Sequence, residues 1–220
     1  LNALVASLLA LQNKAFTKDE IANISCNIEI NRLNNPIGRQ DQYLTCLGGF
    51  NGLRYNSDHS VENILPIDEK LNKKLILYIK DLVLVKTPKI RSASRIIQSI
   101  KDEKSSINYI IELRDISYEF IKELNQNKNF KSSNLDQLII NSWEIKRSLK
   151  SVLNKDLLEI EEYLKGLELR WIKLLGAGGG GSFLCMPKNK TNFKKALQEF
   201  GKLDFKDVEI DIEGIKNWII

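Results

Sequence analysis

The sequence has few residues of the kinds that build metal centres and disulfide frameworks. It contains three cysteines, Cys26, Cys46 and Cys185, and a single histidine, His59. The cysteines show no Cys-x-x-Cys spacing and no histidine lies near them. We therefore expect buried, small apolar residues in a reducing compartment, not disulfide partners or metal ligands. His59 lies among turn-forming residues, where we expect a solvent-exposed side chain and not a catalyst.

Long hydrophobic runs and blocks of one charge are also absent. The longest apolar stretch, residues 3–11, is interrupted by Ser7, and it carries neither the basic start nor the cleavage pattern of a signal peptide. We therefore expect a cytoplasmic protein without membrane contact. Although the formal net charge is +5, the lysines are scattered among acidic residues. No basic stripe is interleaved with aromatic residues, so we expect no nucleic-acid partner.

The residues that are present predict an α+β protein with a sizeable core. The chain has 220 residues, 43% of them hydrophobic. The pattern favours an antiparallel sheet with helices on one face. A change of composition near Ile67 predicts two domains, 1–66 and 67–220. Predicted helices cover 1–14, 18–33, 68–80, 92–100, 105–126, 135–153, 155–165 and 191–200, with a short helix or turn ending at 47. Predicted strands cover 52–55, 61–66, 82–86, 169–175, 182–186 and 208–212.

Several residues in the predicted helices have a specific expected role. Residues 1–14 are apolar around most of the helical circumference, which predicts a buried core helix. Thr17 and Glu20 have the spacing of a capping box at the start of the next helix. Trp143 belongs to an apolar stripe, so we expect it to serve packing. The chain opens on Leu1 without a methionine or an N-cap, which we interpret as a truncated beginning.

A polar loop at residues 34–43 separates two apolar segments, and such loops often carry function. Pro36 fixes φ and Gly38 frees the backbone, so the loop is short and stiff. It presents Arg39, Gln40, Asp41 and Gln42. A carboxylate beside a guanidinium stays ionised, which suits a base or an orienter for a substrate hydroxyl. An ordinary polar turn with a local Asp–Arg pair is the alternative on residue types alone.

A glycine run forms the second distinctive segment. It consists of Gly176, Gly178, Gly179, Gly180 and Gly181. Without side chains, backbone amides can approach and face an anion. The segment is not a Walker loop, because no Gly-Lys-Ser/Thr follows, and not a dinucleotide fingerprint, because a strand follows it in place of a helix. A flexible linker is the alternative.

The two segments together resemble motifs of the GHMP small-molecule kinases, and most closely the bacterial D-glycero-D-manno-heptose phosphate kinases. The first motif is 29–43 followed by Gly48-Gly49-Phe50, and the second is 173–184, about 130 residues later. The resemblance implies that 1–66 is the remainder of a GHMP N-terminal domain with the ribosomal S5-like fold. It implies that 67–220 is a ferredoxin-like GHMP C-terminal domain.

The resemblance also implies a reaction, the ATP-dependent phosphorylation of a sugar or sugar phosphate with ATP and Mg²⁺. Asp41 would take or orient the proton of the acceptor hydroxyl, and Glu29 would hold magnesium across the ATP phosphates. Arg39 and Gln40 would contact the sugar. Arg91 would clamp its phosphate, with Ser92 beside it, and the glycine run would line the active site next to the ATP phosphates.

Two departures from the family pattern leave alternatives open. The family's amino-terminal strand and its Gly-Leu-Gly-Ser-Ser-Ser-like phosphate loop are missing, so we expect these residues to be the C-terminal two-thirds of a kinase and inactive alone. Trp171 and Ile172 stand where the family has glycines, which leaves the pocket's shape undetermined. A non-catalytic small-molecule-binding or oligomerisation module is the alternative. The sugar, its reacting hydroxyl and a homodimeric state stay open.

Overall fold

The structure, a computed structural model, describes residues 1–88, 106–126 and 132–216. Residue contacts divide the chain into two units. The first is Leu1–Pro66 with Ile210–Ile220, and the second is Ile67–Glu209. The segment from Ile210 onward therefore groups with the first unit, although the sequence analysis assigns it to the second domain. The predicted helix at 92–100 lies outside the described residues.

The first unit is a helical cluster with a small hairpin. Its elements are α1 (Asn2–Leu11), α2 (Lys18–Cys26), a π-helix (Asn27–Arg32), α3 (Gln40–Leu47), β1 (Leu53–Tyr55) and β2 (Val61–Asn63), the two strands pairing antiparallel. The predicted capping box is confirmed. The backbone N–H of Glu20 donates to Thr17 Oγ1 over 3.2 Å, and the Thr17 N–H donates to the Glu20 carboxylate over 2.7 Å. This reciprocal pair sets the start of α2.

Helix α1 departs from the predicted buried helix over 1–14. It ends at Leu11, and its buried residues are Val5 and Ala6. Leu4, Leu8 and Leu11 expose 57%, 50% and 80% of their surface. The prediction of a core helix was wrong because a helix buries only the face that has neighbours, whatever the composition of its other faces.

The second unit contains a four-stranded antiparallel sheet in the order β4-β5-β3-β6. Its elements are α4 (Glu69–Ile79), β3 (Val83–Lys86), α5 (Ser106–Gln126), α6 (Ser132–Arg147), α7 (Lys155–Lys165), β4 (Leu169–Leu174), β5 (Ser182–Pro187), α8 (Lys190–Phe200) and β6 (Phe205–Asp207). The mixed helix and strand class is therefore confirmed. Within the described ranges no helix is long and apolar enough to cross a bilayer.

Helices cover both faces of this sheet, so the prediction of helices on one face was wrong. Successive strand residues point to opposite faces. Phe183 and Ile172 join the core cluster that contains Trp143 of α6. Trp171 and Met186 face the other way, into a second cluster that also contains residues of α4 and α6. Two apolar faces require two covering layers.

The predicted strand at 208–212 is not formed. The last strand of the sheet is β6, which ends at Asp207 and pairs with β3. Beyond it the Asp211 carboxylate accepts hydrogen bonds from the backbone N–H groups of Glu213 and Gly214, at 3.0 and 3.1 Å. Alternating residues form a strand only where a partner edge is available, and here a turn stabilised by Asp211 takes its place.

Trp143 has the packing role that the sequence predicts. It is 2% exposed, and its indole meets Phe183 edge to face at 6.3 Å. Its Nε1–H donates to the Glu161 carboxylate over 2.8 Å. The predicted burial of all three cysteines is likewise confirmed. Trp143 is therefore a large core side chain of the second unit whose one polar atom has a hydrogen-bond partner.

Candidate functional site

Asp41 lies in the first turn of α3, and its side chain is exposed. Arg39 precedes the helix, and its guanidinium donates to the backbone carbonyl of His59 over 2.8 Å. Among the described residues no ion pair joins Arg39 to Asp41, the pair that the alternative of an ordinary polar turn contains. The rigid start of a helix therefore presents the Asp41 carboxylate to solvent without a cation held against it.

Glu29 is connected to the same helix through one side chain. It lies half-buried on the π-helix that follows α2, and Gln42 Nε2–H donates to its carboxylate. Gln42 is the residue after Asp41 and is 6% exposed. The structure therefore brings Glu29 to the start of α3. π-Helical turns occur frequently at functional sites, where the altered winding re-aims a side chain.

The amide of Gln42 has a defined orientation. A carboxylate only accepts hydrogen bonds, so the NH₂ group must face Glu29 and the Oε1 atom must face away. Within the described part of the chain, this buried Oε1 accepts no hydrogen bond. The Gln42 backbone carbonyl accepts from Asn2 Nδ2 over 2.8 Å, which ties the residue to α1. Sequence reasoning did not assign a role to Gln42; its place next to Asp41 was the available signal.

We expect Gln42→Glu to lower the free energy of unfolding of the 220-residue chain by about 1–3 kcal/mol at pH 7, because it sets a second buried carboxylate against Glu29. The loss should shrink in acid, because protonation of one carboxyl removes the repulsion. Urea unfolding followed by circular dichroism measures both values. The matched control is Gln40→Glu, at an exposed position on the same helix, and equal losses in the two variants would contradict the Gln42–Glu29 contact.

A pocket of about 490 Å³ opens in the first unit, lined by residues of α1, α2, the π-helix and three loops. Arg39 and His59 form part of its wall, with Phe16 and Ile30 supplying apolar surface. Asp41 is not part of this lining. The volume is in the range of small-molecule pockets. The structure thus places Arg39 at a cavity, and it places Gln40 and Asp41 on the exposed start of α3.

The glycine run connects β4 to β5 in the second unit, and its middle is packed. Gly178, Gly179 and Gly180 are buried. Gly178 has φ +111°, and a Cβ atom there would lie 2.9 Å from the Cα of Val152. The Gly179 N–H donates to the Val152 carbonyl over 2.8 Å. This segment is therefore a fixed loop and not a flexible linker, and the Gly179 amide is occupied within the protein.

Two further residues hold the ends of the loop. Thr87 donates through both its backbone N–H and its Oγ1–H to the Gly181 carbonyl, each over 2.9 Å. At the other end, Lys146 Nζ donates to the carbonyls of Leu174, over 3.0 Å, and Gly176. Sequence reasoning missed Lys146. The signal was a lysine three residues after Trp143, on the buried side of α6.

The bulky residues at the positions where the resemblance implies glycines are part of the core. Trp171 and Ile172 are each 4% exposed on β4, and the Trp171 Nε1–H donates to the Asp136 carboxylate over 2.9 Å. They therefore fill space between the sheet and its helices. The candidate residues Arg91 and Ser92 lie outside the described residues. No group of three or more His, Cys, Asp or Glu side chains in the described ranges could hold a metal ion by itself.

Comparison with known proteins gives matches at the level of structure. No family model matches the sequence, and no curated protein matches it. A D-glycero-D-manno-heptose 1-phosphate kinase from Bacteroides thetaiotaomicron is similar with a TM-score of 0.70 and 14% identity, over 97% of this chain and 59% of that one. A putative sugar kinase from Campylobacter jejuni has a TM-score of 0.63 and 23% identity, over 98% and 62%.

A mevalonate kinase is also similar, with a TM-score of 0.61 and 17% identity, over 93% of this chain and 60% of that one. The chain thus spans about 60% of the length of the kinases that it matches. Identities this low show shared architecture and do not transfer substrate or activity. The chain has the fold of the GHMP-type kinases.

Proposed function

We propose that the full-length gene product containing this chain is an ATP-dependent GHMP-type kinase. It transfers the γ-phosphoryl group of ATP to a hydroxyl of a sugar or sugar phosphate, with a heptose phosphate as the first acceptor to test. The observation that carries the proposal is the arrangement at the start of α3. There an exposed Asp41 carboxylate is adjacent to Gln42, which holds the Glu29 carboxylate.

Phosphoryl transfer requires positioning and charge stabilisation more than covalent chemistry. In this proposal, Asp41 accepts a hydrogen bond from the acceptor hydroxyl and takes its proton as the new P–O bond to the γ-phosphorus forms and the old P–O bond breaks, with ADP leaving. Its position in the first turn of a helix keeps the carboxylate oriented. Arg39 and Gln40 flank it and contact the sugar. Arg91 and Ser92 hold the phosphate of a phosphorylated acceptor.

Glu29 is suited to hold Mg²⁺. Gln42 bonds one of its carboxylate oxygens, and within the described ranges the other makes no hydrogen bond. Mg²⁺ is usually bound by one or two carboxylates together with substrate phosphates and waters, so a single fixed Glu is sufficient. Bound there, the ion would neutralise charge on the ATP phosphates.

The glycine run supports the nucleotide phosphates in this proposal. With its middle buried, the residues that a ligand can reach are those toward the ends, Gly176 and Gly181, both exposed. We assign the run to a GHMP C-terminal domain over 67–220, and we assign Asp41 to the remainder of the N-terminal domain over 1–66. Glycine at these ends lets backbone approach an anion without steric hindrance.

A coupled ADP-release assay tests the proposal on the full-length gene product, with a panel of heptose, hexose and mevalonate acceptors. We expect Mg²⁺-dependent release with a sugar or sugar phosphate and none after chelation by EDTA. The 220-residue chain, assayed alongside, is expected to release none. If calorimetry detects sugar-phosphate binding but no acceptor supports turnover, the kinase proposal is wrong and the protein is a non-catalytic binding module.

A further inference from the structure

Lys146 has an unusual environment among the charged residues of the second unit. It is 8% exposed on α6, and its ammonium donates to the backbone carbonyls of Leu174 and Gly176. Within the described residues no carboxylate lies within 4.0 Å of this nitrogen. The adjacent Arg147 differs, because it pairs with Glu144 and Glu161. A buried cation here is held by carbonyl dipoles alone.

The surrounding charges make this arrangement costly. The group that faces Lys146 from β4 is Lys173, another cation, whose own Nζ donates to Ser142 Oγ over 2.7 Å. Burial, and then the charge of Lys173, lower the pKa of Lys146 to about 8. Packing alone does not explain the lysine, because a methionine would fill similar space without desolvating a charge. The reason for a lysine at this position therefore lies in the two backbone carbonyls to which its ammonium donates.

Of those carbonyls, that of Leu174 lies at the buried end of β4 and that of Gly176 lies at the accessible start of the glycine loop. The loop's buried middle is held by the Gly179–Val152 hydrogen bond and its far end by Thr87. Lys146 holds the start, where Leu175 and Gly176 are exposed and Ala177 is half-buried. The three fixing points thus lie at different places along the loop. Before Gly178 the Leu175 N–H also donates to the Ser182 carbonyl over 2.9 Å, and Lys146 is the side chain that holds the Gly176 carbonyl.

The direction of one backbone donor follows from peptide geometry. In a trans peptide the C=O of one residue and the N–H of the next point in opposite directions, and the described chain contains no cis peptide. With the Gly176 carbonyl turned inward to the ammonium, the Ala177 N–H is turned outward. Within the described part of the chain, this N–H makes no backbone hydrogen bond. An outward, unpaired N–H above a buried cation is suited to bind an anion.

We propose that Lys146 is a positioning residue that aims the Ala177 N–H at an anionic phosphate group. The ligand class is a di- or triphosphate. If the proposed kinase function is correct, that group belongs to the nucleotide. The ammonium acts through the Gly176 peptide and contributes positive potential behind it, without touching the ligand.

Titration of the ¹⁵N-labelled 220-residue chain with sodium pyrophosphate tests this without reference to catalysis. We expect a saturable downfield shift of the Ala177 N–H resonance, with a smaller response at Gly179, whose N–H is occupied. In Lys146→Met the affinity measured at Ala177 should fall about tenfold. Lys150→Met, at an exposed lysine just after α6, should behave like the wild type. Wild-type Ala177 without a shift, or a shift unchanged in Lys146→Met, would overturn the proposal.

A second variant covers the case in which Lys146→Met does not fold. Lys146→Gln keeps a neutral donor near the carbonyls and should give an affinity between those of the wild type and the methionine variant. Equal affinity in Lys146→Gln and wild type would also overturn the proposal. In the full-length gene product, Lys146→Met should raise KM for ATP more than it lowers kcat. Absence of any kinase activity would refute the proposed function. The pyrophosphate titration would still decide whether Lys146 positions the Ala177 N–H for an anion.

Discussion

Asp41→Asn in the full-length gene product is expected to lower kcat about a thousandfold, within the range attributed to a positioned general base. An amide of the same shape can still contact the acceptor hydroxyl, but it cannot take its proton. The structure also predicts an intact fold, because Asp41 is exposed and makes no ion pair among the described residues. The free energy of unfolding should change by less than about 1 kcal/mol, the size of a helix-terminus charge effect.

Asp19→Asn is the matched control for this substitution. Asp19 also lies exposed in the first turn of a helix, α2, so it carries the same local charge effect. Steady-state kinetics with saturating Mg-ATP and acceptor should show wild-type kcat in Asp19→Asn. Equal kcat in the Asp41 and Asp19 variants would mean that Asp41 is not the base.

Gly178→Ala is expected to lower the free energy of unfolding of the second unit by roughly 3 kcal/mol. The backbone at Gly178 has φ +111°, which L-residues rarely adopt. Its new Cβ would also lie 2.9 Å from the Cα of Val152, a backbone atom that cannot move aside without disturbing the loop after α6. Both effects act on the same residue, so the loop must shift or the unit must lose stability.

Gly176→Ala separates the two effects. Gly176 also has a positive φ, +71°, but a Cβ there would meet nothing within 4 Å. We expect only the backbone cost of about 1–2 kcal/mol. Denaturant unfolding followed by the fluorescence of Trp143 and Trp171 reports on this unit. If the two glycine variants lose the same stability, the loop does not pack against Val152 as described.

Local chemistry explains which elements could be predicted from the sequence. The capping box at Thr17, the two strands predicted within 52–66 and helix 155–165 depend on residues close together in the chain. Caps, turns and periodicity act over a few residues and are therefore visible in one sequence. Each of these predictions was confirmed.

Features that depend on distant partners were missed. The exposed face of α1 and the absence of a strand at 208–212 reflect which neighbours are present, which local pattern does not encode. The same holds within the candidate site. Residue types single out Asp41, but the Gln42–Glu29 and Lys146–Gly176 contacts join residues 13 and 30 positions apart. Only the folded arrangement shows that these polar side chains hold functional candidates.

The proposed kinase activity is tested most directly by ³¹P NMR of the full-length gene product incubated with Mg-ATP and a heptose phosphate. We expect a new phosphate-ester resonance on the sugar that grows at the same rate as ADP, and no such resonance with Asp41→Asn. ADP formed without a sugar ester, or an ester formed equally fast by the Asp41 variant, would contradict it.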